Sequence, residues 1–188
     1  VVLTQGNNEY IDKLLQSFNP SEVLLQRNKR REVIDLVGGK QFLTVFDDWV
    51  FTEDYANEVL NRHFNTTSLK GFGVSDFPKG IVAAGACIHY LIETHHDKIN
   101  HITSLSRIDQ GQFVWLDKFT IRNLELLHTA NANAKTLIDV IDHTVSPMGS
   151  RLMRRWIALP LKNKEQIESR YAVVEHFTQH HELIGQFQ

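Results

Sequence analysis

Four carboxylates crowd one short stretch, Asp47, Asp48, Glu53 and Asp54. Paired acids at a strand end can hold two Mg²⁺ ions for phosphodiester cleavage, so a metal-dependent nuclease using Asp47, Asp48 or Asp54 is one reading. The plainer reading is a strand terminator followed by helix caps, and it is preferred. The ten histidines raise a metal question. The densest groups are His95-His96 with His101, and His176 with His180 and His181; the i, i+4 spacing of His176 and His180 puts two imidazoles on one helix face. No H-E-x-x-H is present, and no carboxylate or thiolate completes either set. They are read as solvated, and no metal ligand is assigned. Cys87 and His89, two apart on a helix, point in different directions and form no nucleophile and base pair. Cys87 is expected to be a small core residue. Neither Gly38-Gly39-Lys40 nor Gly71-Phe72-Gly73 has the spacing of a phosphate-cradling loop, so no cofactor-binding residue is assigned.

Two basic groups remain. Arg27, Lys29, Arg30 and Arg31 form a local cluster without interleaved aromatics, read as a solvated helix start. Arg151, Arg154 and Arg155 lie at i, i+3, i+4 on one helix face, opposite the apolar line of Met148, Leu152, Trp156 and Leu159. A direct duplex-DNA-binding module using both groups is a second alternative. Its weakness is charge: 20 basic against 22 acidic residues give a net −2, which supplies little counterion-release drive.

The elements that must hold these residues follow from periodicity. Ile11, Leu14, Leu15 and Phe18 recur as an amphipathic stripe, which predicts a helix over 9–18 capped by Asn7 or Asn8 and stopped by Pro20. Val23-Leu24-Leu25 is a short buried strand. A charged helix from about Asn28 to Val37, ended by Gly38-Gly39, leads into a strand at 41–46. A helix capped from within Thr52 to Asp54 then runs to about Phe64, burying Tyr55, Val59, Leu60 and Phe64. Residues 71–80 read as loop. Ile81 to Thr94 is the central helix, whose Ala83-Ala84-Gly85-Ala86 cluster lets neighbouring backbone approach closely. Alternating runs at 102–108 and 113–116 flank Asp109-Gln110-Gly111 and predict a hairpin.

Strands alternating with helices imply an α/β unit with a mostly parallel sheet over 1–116. After Asp117 strand signals stop, and 134–141, 147–159 and 164–181 read as successive helices. With 42% hydrophobic residues in 188, the chain can bury a core and is not a disordered tail. One cysteine permits no internal disulfide and fits a reducing compartment, so a cytoplasmic location is expected. No run approaches a membrane span, and no membrane partner is expected.

The run Leu116-Asp117-Lys118-Phe119-Thr120-Ile121-Arg122-Asn123-Leu124-Glu125-Leu126, then Thr136-Leu137, then Asp142-His143-Thr144-Val145-Ser146-Pro147-Met148-Gly149-Ser150-Arg151-Leu152, resembles the start of the core, or lever, domain of MutS DNA mismatch repair proteins. Trp156, Pro160-Leu161, Ile167 and Arg170 continue the likeness. Upstream, Gly71-Phe72-Gly73-Val74 and the alanine-rich helix are similar to that family's connector, an RNase H-like α/β domain. The resemblance implies an interior fragment: a connector over 1–116 whose first strand precedes Val1, then a partial, all-α lever over 117–188. Asn131 to Lys135 stand where the family usually has glycines. The mismatch-reading, clamp and ATPase domains have no counterpart here.

A non-catalytic role is therefore implied, coupling mismatch binding to the ATPase domain of a parent that uses ATP and Mg²⁺, acts on mismatched duplex DNA and is a homodimer. The junction 117–136 and the helix 147–159 are the coupling elements. Arg151, Arg154 and Arg155 would exchange ion pairs between states while Trp156 anchors in a core, so that Trp156→Ala would cost about 3–5 kcal/mol. The resemblance also implies a surface for a MutL-like matchmaker, placed on the exposed side of the 52–64 helix at Asn57, Glu58, Asn61 and Arg62.

Overall fold

The structure is a computed structural model that describes residues 1–18, 20–37, 41–94, 98–108, 110–129, 131 and 133–185. They fall into two compact units, one within Val1–Leu15 and Asn19–Ile108, the other within Asp109–Gln188 together with Gln16–Phe18. The first is α/β and the second is helical.

The first unit begins with a short strand, β1 (Val2–Leu3), then helix α1 (Asn8–Phe18) as far as Leu15. Asn7 is its cap, the side-chain oxygen accepting the Tyr10 N–H at 2.9 Å. Strand β2 (Glu22–Gln26), helix α2 (Arg30–Val37) and strand β3 (Phe42–Phe46) form a βαβ unit with β2 and β3 parallel, in register from Glu22 opposite Phe42 to Gln26 opposite Phe46. These are the strands that the apolar runs predicted. The Gly38-Gly39 helix end lies outside the described residues.

Helices α3 (Glu53–Phe64) and α4 (Pro78–Glu93) make the core of this unit. Ala56, Val59 and Leu60 face Ile81, Ala84 and Ile88, all buried, with Leu3, Leu69, Val74 and Leu105 closing the cluster. The small-residue stretch does what its lack of bulk predicts. A Cβ on Gly85 would stand 2.6 Å from the Ala56 Cβ and 2.7 Å from its Cα, so only glycine permits this helix approach. Helix α4 starts three residues earlier than its apolar pattern predicts, because Pro78 occupies the first helical position, where its missing N–H costs nothing. Ahead of it, Gly73 takes φ +66° and closes the turn Leu69–Phe72.

The 102–116 hairpin does not form. Strand β4 is only Ser106–Arg107, and it pairs parallel with β1, Val2 opposite Ser106 and Leu3 opposite Arg107. Phe113 instead bridges to Leu161, antiparallel, within the second unit. Alternation over 102–108 records a chain half buried beside β1, which period-2 patterning alone cannot tell from a hairpin arm. The expected turn residue Asp109 lies outside the described residues. Val2–Leu3, too short to show periodicity, is a strand that the apolar runs did not predict.

The second unit contains α5 (Lys118–Asn123), α6 (Leu137–Ile141), α7 (Pro147–Ala158), α8 (Lys164–Gln179) and α9 (His181–Ile184). Its caps come from the sequence: Asp117 for α5, a reciprocal Thr136 and Asp139 box for α6, Ser146 for α7 and Asn163 for α8. The box explains why α6 starts at Leu137, not Ala134. The predicted 164–181 helix is broken at His180, whose backbone is not helical (φ −124°, ψ 64°). Phe113, Ile121, Leu127, Ile138, Ala158 and Leu159 are buried.

Candidate functional site

The parallel register of β2 and β3 determines what the acidic stretch does. Since Gln26 and Phe46 are partners, the residues just beyond them meet: Arg27 pairs with Asp47 at 2.8 Å, and the Asn28 side-chain amide donates to Asp48 at 3.2 Å. The basic and acidic clusters are therefore partly one another's counter-charges. Among the described residues no group of three or more His, Cys, Asp and Glu side chains converges to hold a metal ion.

His95 and His96 lie outside the described residues, and His101 Nδ1 is 2.8 Å from the Lys98 carbonyl. His176 and His180 do share a face, with rings stacked 4.5 Å apart, but the His180 Nδ1 is engaged with the His176 carbonyl at 2.9 Å. Cys87 is corrected: it is exposed on α4, because the buried stripe of that helix runs through Gly85, Ile88 and His89 instead.

His89 is a buried polar residue that pattern reading passed over. It is 7% exposed, its Nδ1 lies 2.7 Å from the Tyr55 hydroxyl, and its Nε2 lies 3.3 Å from a Glu93 carboxylate oxygen. Phe46, Trp49 and Tyr55 meet the ring edge-on, with centroids 5.2, 5.4 and 5.5 Å away. Beside it, the Tyr90 hydroxyl donates to Glu22 at 2.7 Å, and the Thr44 hydroxyl donates to the other Glu22 oxygen. These bonds, Thr44 first and then Tyr90, hold the Glu22 pKa below the usual carboxylate value. The group ties α4 to α3 and to both strands. The i, i+4 series Gly85, His89, Glu93 was the available signal.

On α3, Asn57, Glu58 and Arg62 are exposed and Asn61 is half-buried. The Asn57 amide donates to the Glu53 carbonyl at 2.8 Å, Glu58 pairs with Arg62, and Asn61 accepts from the Thr66 hydroxyl at 3.2 Å. Asn57 also lines a hollow of about 280 Å³ together with Lys70, Ser75 and Ile81.

On α7, Arg151 and Arg154 are exposed and Arg155 is half-buried; none of the three forms an ion pair among the described residues. Trp156 is not a core anchor. It is 39% exposed, and the Arg170 guanidinium covers its ring 4.0 Å from the centroid. Burial there, and secondarily the like charge of Arg155, lower the Arg170 pKa. Of the apolar line on α7 only Leu159 is buried; Met148 is 73% exposed and Leu152 is also exposed. The predicted line is therefore not the packed one: among the described residues the half-buried or buried apolar side chains of α7 are Met153, Ile157 and Ala158, which lie to one side of it.

The loop into α7 has a dense set of local bonds. Asp142 accepts the Thr144 N–H and hydroxyl at 3.2 and 2.6 Å and the Ser150 hydroxyl at 2.5 Å, while Ser146 caps Gly149 at 3.1 Å. A Cβ on Gly149 would stand 3.2 Å from the Thr144 Cβ. Asp, Thr, Ser, Pro, Gly and Ser in that order thus spell out one helix entry.

A family model described as MutS domain II matches residues 1–103, and one described as MutS domain III matches residues 119–188. The chain belongs to the MutS family. Proteins described as DNA mismatch repair protein MutS are similar along nearly its whole length. The one from Flavobacterium psychrophilum is 51% identical over 185 residues, covering 98% of this chain and 21% of that protein. Flavobacterium johnsoniae has one 53% identical over 184 residues, with the same coverage, and Bacteroides thetaiotaomicron one 49% identical over 173 residues, 92% of this chain and 20% of that protein. The chain therefore spans about a fifth of the length of these MutS relatives. Among the described residues no helix is long and apolar enough to cross a membrane.

Proposed function

We propose that this chain is the connector and the opening lever segment of a MutS mismatch repair protein, over 1–116 and 117–188, and that it transmits between sites it does not itself contain. The observation that carries the reading is α7. Three arginines that form no ion pair among the described residues and an exposed apolar line, Met148, Leu152 and Trp156, sit on one helix of a family whose members run to about five times this length. Such a face suits contacts that form and exchange with other domains of the parent, which is what coupling between two sites requires.

The parallel β2-α2-β3 unit under α4 supports an RNase H-like connector. In this reading the chain is no enzyme. ATP and Mg²⁺ bind elsewhere in the parent, mismatched duplex is held by other domains, and the parent is a cytoplasmic homodimer. A MutL-like matchmaker docks on α3 through Asn57, Glu58, Asn61 and Arg62, next to the hollow that Asn57 lines.

The test is the full-length protein carrying Arg151→Ala, Arg154→Ala and Arg155→Ala together. Mismatch-stimulated nucleotide turnover is expected to fall while mismatch affinity and unstimulated turnover hold. Undiminished stimulation would overturn the reading. The purified chain alone is expected to show no preference for mismatched over matched duplex at physiological salt.

A further inference from the structure

The α6 to α7 elbow is fastened by a single carboxylate. Asp142 ends α6, its N–H donating to the Ile138 carbonyl at 2.9 Å. One of its oxygens takes both Thr144 donors, which folds the connecting loop; the other takes the Ser150 hydroxyl at 2.5 Å. Ser150 already belongs to the first turns of α7, its N–H bonded to the Ser146 carbonyl at 3.1 Å. The Ser150 bond is therefore of a different kind from the loop bonds, because it spans from the end of one helix to the body of the next.

Both sides of this link are themselves held. The start of α6 is fixed by the Thr136 and Asp139 box, and by the Leu137 and Ile138 N–H groups bonded to the Glu125 and Leu126 carbonyls at 2.8 and 3.1 Å. On the α7 side, the Gly149 backbone packs against Thr144 too closely for a larger residue to enter without displacement. Ser150 is followed at once by Arg151, with Arg154 and Arg155 one turn on.

We propose that Asp142 is a positioning residue whose bond to Ser150 sets the direction in which α7 leaves α6, and with it the placement of the Arg151, Arg154 and Arg155 face. This rests on the coupling reading given above. A short charge-assisted bond from a helix end to a helix body restricts the angle between the two elements, whereas the loop bonds to Thr144 do not reach α7. The carboxylate touches neither DNA nor nucleotide; it acts through the helix it aims.

The experiment uses the full-length protein, with Ser150→Ala as the main variant because it removes the interhelical bond and leaves the loop bonds in place. Mismatch-stimulated turnover is expected to drop about fivefold or more, the lower end of ordinary coupling between sites. Mismatch affinity, unstimulated turnover and melting temperature are expected to stay near the parent values. Ser150→Thr, which returns a hydroxyl, is expected to restore stimulation, and Asp142→Ala to match or exceed the Ser150→Ala loss. Full stimulation in Ser150→Ala, or a Ser150→Thr variant as uncoupled as Ser150→Ala, overturns the proposal. The triple arginine variant in the same assay separates the two ideas. If it uncouples and Ser150→Ala does not, only the positioning role fails. If both keep full stimulation, the coupling reading fails with it.

Discussion

The two units differ in how far their long helices are covered. In the α/β unit α3 and α4 pack on one another, with Leu60 and Ile88 left no exposed surface, while Phe42 and Trp49 outside these helices stay exposed. In the helical unit Phe119, Val145, Met148, Leu152 and Tyr171 all stand in solvent, although α7 and α8 are each well capped. Good caps make a helix; only a covered face makes it stable in a fold. The contrast teaches that local propensity shaped the second unit as well as the first, while α7 and α8 keep much of their apolar surface exposed among the described residues.

Substitutions can break or sharpen this contrast. The largest effect belongs to the closed core: Leu60→Ala or Ile88→Ala should cost about 2–5 kcal/mol in denaturant melts followed on the α/β unit. Gly85→Ala should cost about 1–3 kcal/mol, since the added methyl meets Ala56 at 2.6 Å, and Ala56→Gly in the same chain should return part of it. Trp156→Ala should cost about 1 kcal/mol or less in the isolated chain, a third or less of the loss expected of a buried tryptophan. A loss as large as that of Leu60→Ala would erase the distinction between the units.

A pH titration sharpens it further. Asp139 and Asp142 are held below the usual carboxylate pKa, the first by the Thr136 hydroxyl and N–H, the second by the Ser150 hydroxyl and then Thr144. A depressed folded-state pKa means that the stabilisation is complete above about pH 4 and is lost as the pH falls through the folded value. Residue-resolved amide spectra should therefore show the α6 to α7 elbow loosening below about pH 4, and Asp142→Asn should remove part of that transition.

Much of this was legible in the residues, for reasons that can be named. Val23-Leu24-Leu25 and the run 41–46 read as strands and are strands, although of the two only Leu25 is fully buried. The bare Ala83 to Ala86 stretch announced a close helix contact. Pro147 marked the start of α7, with Thr144 and Ser146 both open as its cap until the structure placed Ser146 there. What stayed hidden depends on partners distant in sequence. The Arg27 to Asp47 and Asn28 to Asp48 pairs follow only from the β2 to β3 register, and β4 is defined by β1 a hundred residues earlier. His89 follows Gly85 at i+4 on the buried stripe of α4, but that Tyr55, Trp49 and Phe46 surround its ring is not legible from that spacing. Trp156 was misplaced for the converse reason: an amphipathic stripe specifies a face to be covered and does not say by what.

Amide hydrogen exchange, compared helix by helix between the isolated chain and the full-length protein, tests the central claim most directly. The α3 and α4 amides should exchange at similar rates in both. The α7 and α8 amides should slow by about tenfold or more in the full-length protein, equivalent to about 1.4 kcal/mol of added protection. Equal rates in α7 in the two settings would mean that its arginine and apolar face meets nothing, and would contradict a transmitting role for this chain.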